Sequence, residues 1–230
     1  MRFVCLTLLL ATTASAASFD CTKAATVVEK TVCATPRLSS LDEELAATWK
    51  AAPERDALRD AQREWIKRRE ECEDSEDCIE GQYLMRIASL RLQHRTLFAK
   101  QKAPARIVGR YSEMTEVCHP SETEENANEC SENVENFLDI RRGKGNALTV
   151  SSELYFYMGH MCTVENAPAE WAGDELRVAI VDEVTDAPAC VLLLRFDADG
   201  VTPRDLAGSC REFTCGVRGG FEGTTLPKKK

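Results

Sequence analysis

"FDCTKAATVVEKTVC", residues 19–33, sets two cysteines around a short amphipathic stretch. Thr26-x-x-Glu29 has the form of a capping box, in which the threonine hydroxyl and the glutamate carboxylate each take an amide the first helical turn leaves free. The spacing predicts a helix of about two turns that begins at Thr26 and ends near Cys33. A straight helix running all the way from Cys21 would hold the two Cα atoms about 18 Å apart, whereas a disulfide reaches only about 7 Å. If the pair is bonded, residues 19–25 must run extended and fold back along the helix. Closing that loop adds on the order of 3 kcal/mol in the chain-entropy picture.

Whether the pair is bonded depends on the compartment. The first residues, "MRFVCLTLLLATTASA", carry one positive charge at Arg2, an apolar run from Phe3 to Ala11 and the small-x-small exit Ala14-Ser15-Ala16. That pattern reads as a signal peptide over residues 1–16 with cleavage before Ala17, and the run is too short to span a bilayer. Neither Cys5 nor Cys21 sits where a lipid-anchored cysteine would follow a small-residue box. The expected location is therefore periplasmic or secreted. Loss of the leader removes Cys5 and leaves an even ten cysteines, which in an oxidising compartment points to disulfides.

From residue 26 to 100 the hydrophobic period is helical. Thr35-Pro36 places proline at a first helical position. Leu38, Leu41, Leu45, Trp49 and Ala52 then form one stripe at steps of three and four. Leu58, Ala61, Trp65 and Cys72 mark a third helix, and Ile79, Tyr83, Ile87, Leu90 and Leu97 a fourth. Stripes of this kind on closely connected helices bury one another as a small bundle.

After "KQKAPAR" (100–106) the helical period disappears. "GRYSEM", "NFLDIRR", "ALTVSSELYFYM", "LRVAIV", "CVLLLRFD" and "CREFTCGV" read as strands, with "RGKGN" (142–146) and "DADG" (197–200) as hairpin turns. The expected fold class is α+β: a helical domain over 17–103, then a disulfide-bonded antiparallel β domain over 107–226, barrel or sandwich. The expected bonds are Cys21–Cys33 and Cys72–Cys78. The six later cysteines allow fifteen pairings. The most local of these is Cys118–Cys130, Cys162–Cys190 and Cys210–Cys215.

Motifs for chemistry are sparse. There is no Cys-x-x-Cys of the redox type and no G-x-S-x-G. Cys118-His119 and His160-x-Cys162 could supply four zinc ligands only at an untypical spacing. "DADG" lacks the later acids of a calcium loop, and Gly208 stands where its glutamate would be. No catalytic, cofactor or metal residue is expected. The formal charge of −9 disfavours nucleic acid and anionic membranes and suits a cationic partner. It is unevenly spread. Residues 116–135 hold seven glutamates and no Lys or Arg, while residues 79–110 hold seven basic residues and the single acid Glu80. Cys118 and Cys130 bracket most of the acidic run, and Glu122, Glu124, Glu125 and Glu129 are its candidate partner-binding residues.

Cys21, Glu29, Val32, Cys33, Pro36, Leu38, Leu41, Asp42, Gln62, Trp65, Arg69, Cys72, Cys78, Tyr83 and Arg86 together make a pattern. In it, residues 19–92 resemble the N-terminal domain of the LprI-type lysozyme-inhibitor family. The resemblance implies an envelope helical module, some of whose relatives bind and inhibit lysozyme, and it carries no catalytic residues. The reading that results is a non-enzymatic, lysozyme-inhibitor-like binding protein with a cationic lysozyme or other cell-wall hydrolase as partner. The rival is an envelope small-molecule carrier or structural module whose β domain encloses the ligand.

Overall fold

The structure, a computed structural model, describes residues 17–53, 55–94, 101–121, 128–182, 184–185 and 187–229. The proposed leader and Leu97 lie outside them. Among these residues four α-helices come first: α1 (Val27–Ala34), α2 (Pro36–Ala51), α3 (Arg59–Glu70) and α4 (Glu76–Gln93). Seven strands follow: β1 (Gly109–Pro120), β2 (Asn128–Arg142), β3 (Leu148–Tyr155), β4 (Met161–Ala172), β5 (Glu175–Val181), β6 (Pro188–Phe196) and β7 (Val201–Asp205), with a one-turn helix α5 (Arg211–Thr214) near the end.

Local chemistry accounts for the helix ends. Both halves of the Thr26/Glu29 capping box form. Cys21 bonds Cys33 with the Cα atoms 5.8 Å apart, but residues 21–23 make a 3-10 turn capped by Asp20 rather than the expected extended run. Thr35 does not cap α2, although Pro36 does open it; its hydroxyl donates instead to Glu76. Helix α3 is charged almost all round and buries only Trp65 and Arg69, so Ala61 is exposed rather than part of a stripe.

The strands form one antiparallel meander in the order β1 to β7. The sheet curls, and the C-terminal segment bridges its two edges through Val201–Leu226 and Tyr111–Lys228. Gly200 makes that approach possible. Its φ is +150°, and a Cβ there would lie 2.0 Å from the Leu226 carbonyl oxygen. Of barrel and sandwich, the strands follow the barrel-like course, as a curled half-barrel. Side chains of Leu138, Val150, Leu154, Val164, Leu176, Val178, Leu192, Leu194 and Phe221 fill the interior, as expected of a small barrel-like sheet.

Strands β5 and β6 are buried on both faces, which explains their near-continuous apolar runs. Leu176, Val178, Leu192 and Leu194 point into the curl, while Val191 and Leu193 join the helical core with Leu38, Leu41, Trp65, Tyr83 and Leu84. The polar residues of that outer face are paired across the junction. Arg177 and Arg91 each lie 2.8 Å from Glu44, Arg91 also meets Glu170, Arg37 joins Glu80 and Glu175, and Arg204 meets Asp77 and Glu80. Burial pushes the Glu44 carboxyl up, but Arg177 and Arg91 together hold it below the usual carboxylate range. Such a network adds little net stability over apolar packing, while loss of one member leaves a buried charge unpaired. Its effect is to fix how the helices sit on the sheet.

Further expectations are corrected, and one strand was not expected. "CREFTCGV" is not a strand: the carboxylate of Asp205 accepts from the amides of Cys210 and Arg211, both at 2.8 Å, and starts α5 there. Strand β4 was hidden by Pro168 and a polar run. The bonds among the last four cysteines are Cys162–Cys215 and Cys190–Cys210, not Cys162–Cys190 and Cys210–Cys215. Cys162 and Cys190 lie on β4 and β6, with β5 between them. Two strand spacings are about 9.5 Å, beyond the reach of a disulfide.

Candidate functional site

Most residues of the sequence pattern gather inside the helical module, while Cys21 and Pro36 are exposed. Tyr83 donates to Asp42 at 2.8 Å and accepts from Arg69 at 2.9 Å, and Asp42 also accepts from the Ser18 amide. Burial raises the Tyr83 phenol well above its ordinary value, despite the opposing pull of Arg69. Trp65 meets Tyr83 edge-on at 5.3 Å between ring centres, the Arg69 guanidinium lies 5.3 Å from the Trp65 ring, and Arg86 donates to Gln62. Cys72–Cys78 ties the α3–α4 turn. These side chains hold the module together and face inward. A partner would have to be met elsewhere.

The surface that projects is the β1–β2 hairpin. Cys118 and Cys130 sit directly opposite each other, bonded with Cα atoms 4.0 Å apart. The register shifts between Thr115 and Val117, and such a bulge bends and twists the arm. Glu116 and Glu129 are exposed, and Ser121 donates to Glu129. Glu122, Glu124 and Glu125 fall outside the described residues. The acidic run does have counter-charges, supplied from outside it, that its sequence does not reveal. Glu135 takes Arg110 at 2.8 Å and Lys229 at 3.1 Å, and the Arg110 hydrogen bond leads in holding its carboxyl down at about 2.

Beside the base of this arm lies a set of exposed apolar side chains: Met114, Tyr157, Met158, Met161 and Val217. The 3-10 turn Tyr157–Gly159 packs against β1. Cys162–Cys215 and the bond from the Gly216 amide to the Met161 carbonyl hold the segment around Val217 next to it. Arg218 covers the Tyr157 ring. Gly216 is needed at this junction, since a Cβ would lie 2.7 Å from Nδ1 of His160. An apolar patch with a charged margin is the anatomy of a protein-binding surface. The cluster "YFYMGHM" (155–161) was the sequence signal for it, there read as the end of a strand.

Among the described residues, one group could offer three metal-ligand atoms: Glu116, Cys118 and Cys130. Its two sulfurs are joined to each other and so offer no thiolate. Cys162 is likewise bonded, which removes the other arrangement considered for zinc.

The fold and surface thus define an α+β protein with five disulfides, in which a helical module is locked onto a curled antiparallel sheet. The helical module carries the likeness to known proteins. Residues 21–102 match the family model described as Lysozyme inhibitor LprI. No curated protein and no solved structure matches the chain. Among the described residues, no helix is long and apolar enough to cross a membrane.

Proposed function

We propose that the chain is a secreted or periplasmic, non-enzymatic binding protein of the lysozyme-inhibitor type. The observation that carries this reading is the match of residues 21–102 to an inhibitor family. The disulfides favour an oxidising compartment, and the leader-like residues 1–16 give a route to it. The partner is a cationic lysozyme or a similar cell-wall hydrolase. Nucleic acid does not suit a chain of charge −9, and among the described residues no helix has the apolar length that stable membrane insertion needs. The carrier alternative finds less support, since side chains occupy the interior of the curled sheet.

Contact begins at the acidic arm and is completed on the apolar patch beside it. Charges at the margin of an interface act mainly on the rate of encounter and are screened by salt. Replacing Glu122, Glu124, Glu125 and Glu129 together by glutamine should slow association with a C-type lysozyme by roughly tenfold at low ionic strength. It should also flatten the salt dependence and change dissociation much less. Surface-based kinetics at several salt concentrations would measure this. Unchanged association in the quadruple variant would remove the arm from the encounter.

A further inference from the structure

The curled sheet is not continuously paired. Strand β4 spans Met161–Ala172 and β5 spans Glu175–Val181, yet they pair only through Ala169–Ala172 with Glu175–Val178. Carried one residue further, the register would set Pro168 opposite Ala179, and proline has no N–H to give the ladder. Two residues earlier, Asn166 has a φ of +44°. The pairing of β4 with β3 shifts register opposite this point, between Val150 and Ser152. Pro168 thus ends the ladder, and the bulge turns the remainder of β4 away from β5. Alternate residues of each strand edge then present backbone N–H and C=O groups toward the gap.

The opening is a groove of about 660 Å³ lined by Thr163–Pro168, Ile180–Asp182, Val184, Ala189 and the α5 residues Phe213 and Thr214. Val184, 92% exposed, and Phe213, 57% exposed, are its free apolar side chains. Among the described residues, Glu165 and Asp182 are its charged ones, and no Lys or Arg lines it. Asp182 is engaged in its own turn, accepting from the amides of Val184 and Thr185; Glu165 is exposed on β4.

We propose that this gap accepts an extended cationic segment of a partner protein as an added β-strand. The backbone of the segment continues the ladder that Pro168 interrupts. Its basic side chains meet Glu165 and Asp182, and its apolar ones rest on Val184 and Phe213. Strand addition of this kind takes affinity from main-chain hydrogen bonds and selectivity from alternate side chains. This inference goes beyond the lysozyme reading and does not depend on it.

The test uses the oxidised full chain and an acetylated octapeptide of alternating valine and lysine. Two control peptides accompany it, one with glutamate in place of lysine and one N-methylated at alternate main-chain nitrogens. The valine–lysine peptide should shift the amides of residues 163–167 and 179–181, and those of them that face the gap should gain protection from exchange of tenfold or more at saturation. Both controls should bind at least tenfold more weakly. In the protein, Glu165→Lys with Val184→Lys, both at exposed positions, should weaken binding by at least fivefold while amides elsewhere keep their positions. Equal binding of the N-methylated peptide, perturbation confined to the Cys118–Cys130 arm, or no perturbation at millimolar peptide would each overturn the proposal.

Discussion

Replacing Trp65 by alanine is expected to lower the free energy of unfolding by about 3–5 kcal/mol, the range for emptying a core aromatic site. Trp65 is 4% exposed, and its indole N–H donates to the Gln82 carbonyl at 3.0 Å. The mutation removes more than volume. Helix α3 buries only Trp65 and Arg69, so Trp65 is most of what fastens that helix to α4. Arg69, which stacks on both the Trp65 and Tyr83 rings, would lose one of its two aromatic partners. Chemical denaturation of parent and variant should show a lower midpoint with a similar slope. A variant that unfolds like the parent would mean that α3 does not pack as described.

Loss of the Cys162–Cys215 bond should have a comparable effect. It closes a loop with a sequence separation of 53, for which the chain-entropy relation gives about 4 kcal/mol at 25 °C. It also holds α5 and the Gly216–Val217 segment against the start of β4, where Gly216 and His160 touch. The double variant Cys162→Ala, Cys215→Ala should therefore melt well below the parent and lose amide protection first around residues 156–162 and 211–217. Cys72–Cys78, with a separation of only 6, closes a far smaller loop, and its removal should cost less on the same relation. Peptide mapping without reduction should recover Cys162 with Cys215 and Cys190 with Cys210. A Cys162–Cys190 peptide would contradict the strand order.

Much of the helical module is legible in the sequence because its determinants are local. Thr26 and Glu29 cap α1 within one turn, Pro36 opens α2, and the steps of three and four from Leu38 to Leu45 place one face inward. The β region is less legible, for identifiable reasons. In β4 a proline and a left-handed asparagine break the alternation, and both have a place only at the gap that they themselves make. The start of α5 depends on Asp205, whose carboxylate reaches residues five and six positions ahead. Disulfide partners follow strand neighbourhood rather than sequence distance. Cys118 and Cys130 were legible because one hairpin sets them opposite each other, whereas Cys162 finds Cys215 only after the whole sheet has curled.

The candidate surface was half legible. The charge run between residues 116 and 135 stands out in any reading, but the pairing of Glu135 with Arg110 and Lys229 depends on the register of β1 with β2 and on the return of the C-terminus. The apolar patch joins Met114, a turn after β3 and the segment beyond α5, which are far apart in the chain. The ion pairs joining Glu44, Arg91 and Arg177 carry no local signal, because charged residues on a helix usually face water.

Recognition of a lysozyme by this chain, as proposed, is read out by following lysis of cell walls by a C-type lysozyme with the oxidised protein added in increasing amounts. Lysis should slow in a saturable, dose-dependent way at low ionic strength, and reduced, unfolded protein should have no effect. Lysis at an undiminished rate with the folded protein in large excess would contradict that recognition.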